Sequence, residues 1–261
     1  MGLEEVLAGE LQQLGLRDVQ AGRGGVAFTA EKLDAWRACL HLRTANRVLQ
    51  PIAAFPCQTS DELYAAVMEL PWEELLGKGM TLAVDANLRD SQLTHSRFVA
   101  LKTKDAVVDR LRDHTGWRPN IDPKSADLRI NVHLAADHCT LSLDLAGASL
   151  HRRGYRLDGI HAPLKQNLAA AILIRSGWPQ IVAAGGALID PMCGSGTLPV
   201  EAALMATDSA PGLLRDYYGF FGWLQFQEHD WQALIEEAMQ RKAEGLQRKL
   251  RSIAGYDTDS R

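Results

Sequence analysis

No run of apolar residues in this 261-residue chain approaches the ~20 needed to cross a bilayer as a helix. The opening Met1-Gly2-Leu3-Glu4-Glu5 offers neither a basic leader nor an apolar signal core. Both gaps point away from a membrane or secreted protein and towards the cytoplasm. Cysteine is scarce: Cys39, Cys57, Cys139 and Cys193 are scattered and form no Cys-x-x-Cys pair, so reduced thiols and no metal site are expected. Positive charge is not in excess, since 28 Lys and Arg stand against 32 Asp and Glu for a net charge of −4. That excludes a uniformly basic nucleic-acid binder and leaves room for a local basic face.

What is present is an ordinary globular composition, 46% hydrophobic and 23% charged, long enough for one large or two modest domains. Leu3, Val6, Leu7, Leu11 and Leu14 predict a helix over 3–14 ending near Gly15. A turn at Gly24-Gly25 leads into a short strand, and 31–42 reads helical with Leu33, Trp36 and Leu40 on one face. Arg47 to Phe55 is extended, and Pro51 and Pro56 place it at a sheet edge or domain border. Thr59 and Glu62 have capping-box spacing before a Leu63, Val67, Leu70 stripe. Alternation predicts a strand over 80–85. A helix over 96–113 is expected to turn Phe98, Leu101, Val108 and Leu111 inward and Lys102, Lys104, Arg110 and Arg112 outward. Leu128–Leu134 and Cys139–Leu145 alternate on either side of a short connection, the pattern of a hairpin. Leu150 to Arg156 follows as an extended, basic strand.

Residues 157–163 read as a linker. A helix with Leu164, Leu168 and Ile172 as its stripe then runs to Gly177-Trp178-Pro179. Gly185-Gly186 precedes a short apolar strand, Leu188-Ile189-Asp190, which turns on Gly194 and Gly196 into a helix from Leu198. A strand, a tight glycine turn and a helix N-terminus make a nucleotide-binding corner, because glycine admits a ligand close to the backbone and first-turn N–H groups are free to bind it. A dinucleotide fingerprint wants a third glycine where Pro199 stands, which disfavours a nicotinamide enzyme. The aromatic stretch Tyr217 to Trp223 could stack on bases or pack on itself. A helix over 230–249 has Trp231, Leu234, Ile235, Ala238 and Leu246 as its apolar side. Ser252 to Asp259 reads as the second strand of the cofactor domain, ending in the ribose-binding candidate Asp257, with Asp259 second.

The string Asp190-Pro191-Met192-Cys193-Gly194-Ser195-Gly196-Thr197 resembles motif I of RNA methyltransferases that carry an N-terminal THUMP domain, especially the large-subunit rRNA guanine-N2 methyltransferases. Ala162 to Ala171 resembles that family's motif X, and Arg152-Arg153-Gly154-Tyr155-Arg156 the exit of its THUMP domain. The resemblance implies an α+β THUMP/ferredoxin-like region followed by the start of an α/β Rossmann-like class I methyltransferase domain. The expected segments are 1–45 (ferredoxin-like), 46–156 (THUMP) and 157–261 (methyltransferase). It also implies S-adenosyl-L-methionine as cofactor, held by Asp190, Met192, Cys193, Gly194, Ser195, Gly196, Thr197 and Asp257, and guanine N2 in 23S ribosomal RNA as the methyl acceptor. Phosphate binding needs cations on one surface, for which Lys102, Lys104, Arg152, Arg153 and Arg156 are candidates.

Cys193 lies inside the cofactor turn with no partner histidine in view, so it is not read as a nucleophile. No catalytic residue is assigned, because the family's acceptor-holding string, Asn or Asp-Pro-Pro-Tyr or Phe, does not occur. The chain is therefore expected to be an N-terminal fragment, inactive by itself. An RNA-binding adaptor with an inactive cofactor fold and an N6-adenine nucleic-acid methyltransferase remain as alternatives.

Overall fold

Ala8 and Leu11 bury one side of the first helix, α1 (Glu4–Gln13), while Glu4 and Glu5 complement the dipole of its first turn. The structure, a computed structural model, describes residues 2–156, 164–248 and 251–258. It divides into two units, one formed by 1–46, 149–216 and 227–261 and the other by 47–148 and 217–226. Residues 149–156 cluster with the glycine-loop unit, and 217–226 with the middle unit.

The middle unit is a mixed five-stranded sheet. Its strands are β3 (Leu49–Pro56), β4 (Thr81–Arg89), β5 (Asn120–Ile121), β6 (Leu128–Ala135) and β7 (His138–Asp144), in the order β3-β7-β6-β4-β5. β3 is an edge strand, where Pro51 and Pro56 cost no central ladder bond. β6 and β7 form the expected antiparallel hairpin, and Ala136 and Asp137 both take positive φ in its two-residue turn. β4 runs parallel to both β5 and β6. The capping box is made: Thr59 Oγ1 accepts the Glu62 N–H at 3.2 Å and Glu62 Oε2 accepts the Thr59 N–H at 3.1 Å, opening α3 (Ser60–Met68).

The helix α4 (Ser96–Thr115) forms as expected, with Val108 and Leu111 inward. Val99, Thr103, Ala106, Val107, Val108 and Leu111 face the core. Phe98 and Leu101, expected inward, are about half exposed. Three valines, Leu111, Ala106 and Thr103 fill the inward positions. The aromatic stretch is a packed cluster. Tyr218 and Phe220 are fully buried with rings stacked 5.4 Å apart, and the Tyr217 hydroxyl donates to the Ala126 carbonyl at 2.9 Å.

In the other unit α1 is followed by a hairpin of β1 (Arg17–Gly22) and β2 (Gly25–Thr29), then α2 (Lys32–His41). β1 has almost no buried residue and therefore no alternation to betray it. The helix after the 157–163 segment breaks at Gly177 into α5 (Gln166–Arg175) and α6 (Trp178–Ala183). Gly177 is left-handed, and Pro179 occupies the first turn of α6, where its missing N–H is no loss, instead of ending a helix. The Leu168 and Ile172 stripe of α5, expected inward, is 40% and 44% exposed. The buried face is Gln166, Asn167, Ala169, Ala170, Ala171 and Leu173, and it faces α7 (Thr197–Ala206). Trp178 closes this core, donating its ring N–H to the Ala202 carbonyl at 3.0 Å. β8 (Leu188–Asp190) and β9 (Ile253–Gly255) pair in parallel, and α8 (Glu228–Leu246) precedes β9. On α8, Trp231, Leu234 and Ala238 are buried, whereas Leu246 is 61% exposed and does not join them.

The segment 150–156, expected as a strand, pairs with none. It is held by turns and by Arg153, whose guanidinium is 1% exposed and lies 3.5 Å from the fully buried Glu201 of α7. Arg153 also donates to the Leu150 carbonyl at 2.7 Å and to the Arg43 carbonyl. Replacing Arg153 by Met leaves the Glu201 carboxylate buried without its partner and should cost about 3–5 kcal/mol. The double change Arg153→Met with Glu201→Leu should cost markedly less, as read from denaturant unfolding of this unit.

Burial, with the Arg241 and Arg43 guanidiniums, depresses the His41 imidazole to about 4. The unfolded chain therefore takes up this proton first. Its contribution is whole above about pH 6.5 and drains as pH falls from there towards 4, at up to about 1.4 kcal/mol per pH unit. His41→Gln should flatten that limb of the stability–pH curve.

Candidate functional site

Gly186 N–H bonds back to the Ile181 carbonyl at 2.8 Å, ending α6 and delivering the chain into β8. Leu188, Ile189 and Asp190 align with Ile253, Ala254 and Gly255. Parallel pairing brings the carboxyl ends of both strands to the same edge, so the loop after Asp190 lies beside the residues after Gly255.

Hydrogen bonds stitch the two ends together. The Tyr256 N–H donates to the Asp190 carbonyl at 2.8 Å and the Cys193 N–H to the Tyr256 carbonyl at 2.9 Å. The Met192 N–H reaches Asp190 Oδ1 at 3.2 Å, and the Gly194 N–H reaches Asp257 Oδ2 at 2.8 Å. Asp190, Met192, Cys193, Gly194 and Asp257, chosen from the sequence as one cofactor site, are thus in one place. Asp259, the second ribose candidate, lies outside the described residues.

Gly194 and Gly196 have φ of 50° and 73°, the left-handed region that glycine enters most readily. A Cβ on either would meet nothing within 4 Å, so the loop presents an open face. Gly196 caps α7 with no side-chain bond, and by helix geometry the N–H groups of Thr197 and Leu198 have no acceptor within the helix. Pro199 falls within the same turn. The Met192 side chain is 84% exposed.

Thr197 is placed differently from its neighbours. Its side chain is buried, and its hydroxyl lies 3.2 Å from Ser195 Oγ and accepts Arg156 Nη2 at 3.1 Å. Thr197 therefore offers an outside ligand its backbone, not its hydroxyl. Arg156 donates also to the Leu164 carbonyl at 2.6 Å. Tyr155 gives its hydroxyl to Glu201 Oε1 at 2.9 Å, and burial followed by the Glu201 charge raises that phenol.

The five cations proposed for RNA separate. Lys102 and Lys104 are on α4 of the middle unit, the first 3.5 Å from Asp61 and over the Tyr64 ring, the second paired with Asp105. Arg152, Arg153 and Arg156 are in the other unit. Arg152 is exposed, Arg153 is buried against Glu201, and Arg156 is bound to α7. The basic string Arg152 to Arg156 is mostly internal scaffolding, and Arg153 is withdrawn as a phosphate contact. Its partner was missed: Glu201 is the one carboxylate in the apolar helix Leu198 to Ala206. Among the described residues no group of three or more His, Cys, Asp or Glu could hold a metal ion, and no helix is long and apolar enough to cross a membrane.

Three family descriptions match the chain in succession: "RlmL ferredoxin-like domain" over 1–49, "THUMP domain" over 57–144 and "RMKL-like, methyltransferase domain" over 153–261. A ribosomal RNA large subunit methyltransferase K/L from Syntrophotalea carbinolica is 56% identical over 258 residues, 99% of this chain and 36% of that protein. Its counterpart from Methylococcus capsulatus is 49% identical over 100% of this chain and 35% of its own length. The chain spans about a third of the length of these relatives. Among solved structures, the methyltransferase SMU.472 complexed with SAH superposes with a TM-score of 0.85 at 33% identity, covering 99% of this chain and 66% of that one. A predicted N6-adenine-specific DNA methylase from Listeria monocytogenes gives 0.85 at 31% identity with the same coverage. The fold is accordingly a ferredoxin-like and THUMP region followed by a class I methyltransferase domain.

The open face at Gly196 separates stability from binding. Gly196→Ala should cost about 1–2 kcal/mol for left-handed backbone and nothing for crowding. Gly154→Ala should cost more, because its φ is +99° and a Cβ there would lie 2.2 Å from the Leu214 carbonyl oxygen. Denaturant midpoints of the two variants check this order.

Proposed function

The chain belongs to the family of THUMP-domain ribosomal RNA large subunit methyltransferases of the K/L type, and from that membership we propose that its glycine loop binds S-adenosyl-L-methionine. We further propose that the whole protein methylates a guanine exocyclic N2 in 23S ribosomal RNA, and that the THUMP unit docks the RNA. The observation that carries the cofactor reading is the hydrogen bond from the Gly194 N–H to Asp257. It holds a carboxylate at the end of β9 against an open glycine loop whose other side carries Asp190. A carboxylate there can accept from ribose hydroxyls, and Asp190 can face an ammonium group directly or through water. The relative solved with SAH supports the same reading.

The cofactor supplies an electrophilic methyl group on a sulfonium. The residues described here bind and orient it, which in methyl transfer is a large part of the protein's work. Asp190, Met192, Cys193, Gly194, Ser195, Gly196, Thr197 and Asp257 are the proposed cofactor contacts, Thr197 through its backbone. The sequence holds no Asn or Asp-Pro-Pro-Tyr or Phe string to seat an acceptor base, so these 261 residues alone should bind the cofactor and transfer no methyl group. The likeness to an N6-adenine-specific DNA methylase favours adenine N6 as the second reading of the acceptor.

Calorimetric titration with S-adenosyl-L-methionine tests the site. Binding should be present and should weaken at least tenfold, about 1.4 kcal/mol, in Asp190→Ala and in Asp257→Ala. NAD(P)H should not bind. An absence of cofactor binding together with tight RNA binding would instead identify an RNA-binding adaptor. Label transferred from methyl-tritiated cofactor to 23S RNA by this chain alone would overturn the expected inactivity.

A further inference from the structure

We propose that the middle unit meets RNA phosphates through the sheet end at β5, using Lys78, Arg118 and Lys124. This rests on the RNA-docking reading above and assigns it a face. Most cations of this unit are already committed to carboxylates. Lys102 pairs with Asp61, Lys104 with Asp105, Arg110 with Glu73, Arg112 with Asp109 and Asp113, and Arg129 with Asp85. Arg89 and Arg47 are likewise paired, with Asp90 and Asp144. A paired cation presents a phosphate with little net field, and recruiting it means breaking the pair. Among the described residues of this unit, Lys78, Arg97, Arg118 and Lys124 have no ion pair within 4.0 Å.

The sheet brings three of these four together. Thr81 of β4 is the register partner of Asn120 of β5, and the strands are parallel. Lys78 lies in the turn before β4, where the Met80 N–H bonds the Gly77 carbonyl at 3.2 Å. Arg118 lies two residues before Asn120, so both side chains belong to the entry end of the ladder. β5 is only two residues long, roughly 7 Å, so the chain cannot travel far before it turns. Asp122 closes that turn by accepting the N–H groups of Lys124 at 2.9 Å and Ser125 at 3.0 Å. The chain then returns at once to Asp127, whose carboxylate takes both the N–H and the hydroxyl of Thr81 at 2.7 Å. Lys124 therefore stays beside the Thr81–Asn120 pair.

All three cations are exposed, and β5 is the outermost strand of the sheet. Asp122, bound by two backbone donors, and Asp127, bound by Thr81, keep their charges at the same end and offset part of this patch. Glu74, four residues before Lys78, is exposed and unpaired and partly offsets the patch. Arg97 lies at the start of α4, beyond the opposite end of β4.

The salt dependence of binding to transcribed 23S RNA tests this with the full chain. Each phosphate contact contributes about 0.9 to the slope of log K against log salt on duplex DNA. Lys78→Gln/Arg118→Gln/Lys124→Gln should therefore flatten the slope by about 2–3 and lower affinity at 50 mM salt by an order of magnitude or more, with an unchanged melting temperature. Lys102→Gln/Lys104→Gln should leave the slope unchanged. A triple variant with the wild-type slope, or an equal loss in the Lys102/Lys104 variant, would overturn the assignment. Absence of RNA binding by the unaltered chain would instead bring down the RNA-docking reading, and this inference with it.

Discussion

The ion pair between Arg153 and Glu201 fixes the helix on which the glycine loop depends. Glu201 is fully buried in α7, one turn beyond the glycines, and Arg153 reaches it from a segment that has no strand to hold it. An isolated carboxylate could not remain charged there, so α7 cannot rotate without exposing Glu201 or losing its partner. Tyr155 donates to the same carboxylate, and Arg156 grips Thr197 at the helix start. Four consecutive residues, Arg153 to Arg156, thus set the pose of α7 at two levels. The glycine between them must be glycine, because Gly154 lies against the Leu214 carbonyl in a left-handed conformation. Such a pair is a weak source of net stability compared with apolar packing. What it contributes here is register, and register determines where the free N–H groups of the first turn of α7 point.

The N-terminal segment belongs to the same arrangement. Glu10 of α1 accepts the N–H groups of Arg43 at 2.8 Å and Thr44 at 3.0 Å, clamping the turn after α2. Burial raises the Glu10 carboxyl even though those donors pull the other way. Arg43 in turn donates to the Ser209 carbonyl at 2.9 Å, just beyond α7, and its own carbonyl receives Arg153. A chain of charges and carbonyls therefore runs from residue 10 to residue 209. This is why the ferredoxin-like match and the methyltransferase match share one unit although the THUMP match lies between them in sequence.

Elements governed by local chemistry were legible in the sequence. The Thr59/Glu62 box, the hairpin around Ala136-Asp137, the strand–glycine–helix corner and the strand just before Asp257 all follow from neighbours a few residues apart. Errors arose where tertiary packing chose between faces. Phe98 and Leu101 look like a core stripe, yet Thr103 and Ala106 are the ones that face inward. Leu168 and Ile172 are likewise displaced from the buried face by Ala169, Ala170 and Ala171. Arg153 could not be read as buried, because its counter-charge lies 48 residues away (201 against 153) and counting arginines does not say which are paired. β1 was invisible because it buries next to nothing.

The loop itself argues about its ligand. In loops that cradle phosphates, successive backbone N–H groups converge on the anion. Here the N–H groups of Met192, Cys193 and Gly194 are turned to Asp190, Tyr256 and Asp257, so three amides of the turn are bound by the protein. The N–H groups of Ser195 and of the start of α7 remain as donors, and two carboxylates flank the open face. A diphosphate would meet those carboxylates with too few amides to offset them. A positively charged sulfonium nucleoside with an ammonium group and a ribose diol meets the opposite situation. The charge of Asp190 beside the loop, together with Pro199 in place of a third glycine, weighs against a dinucleotide.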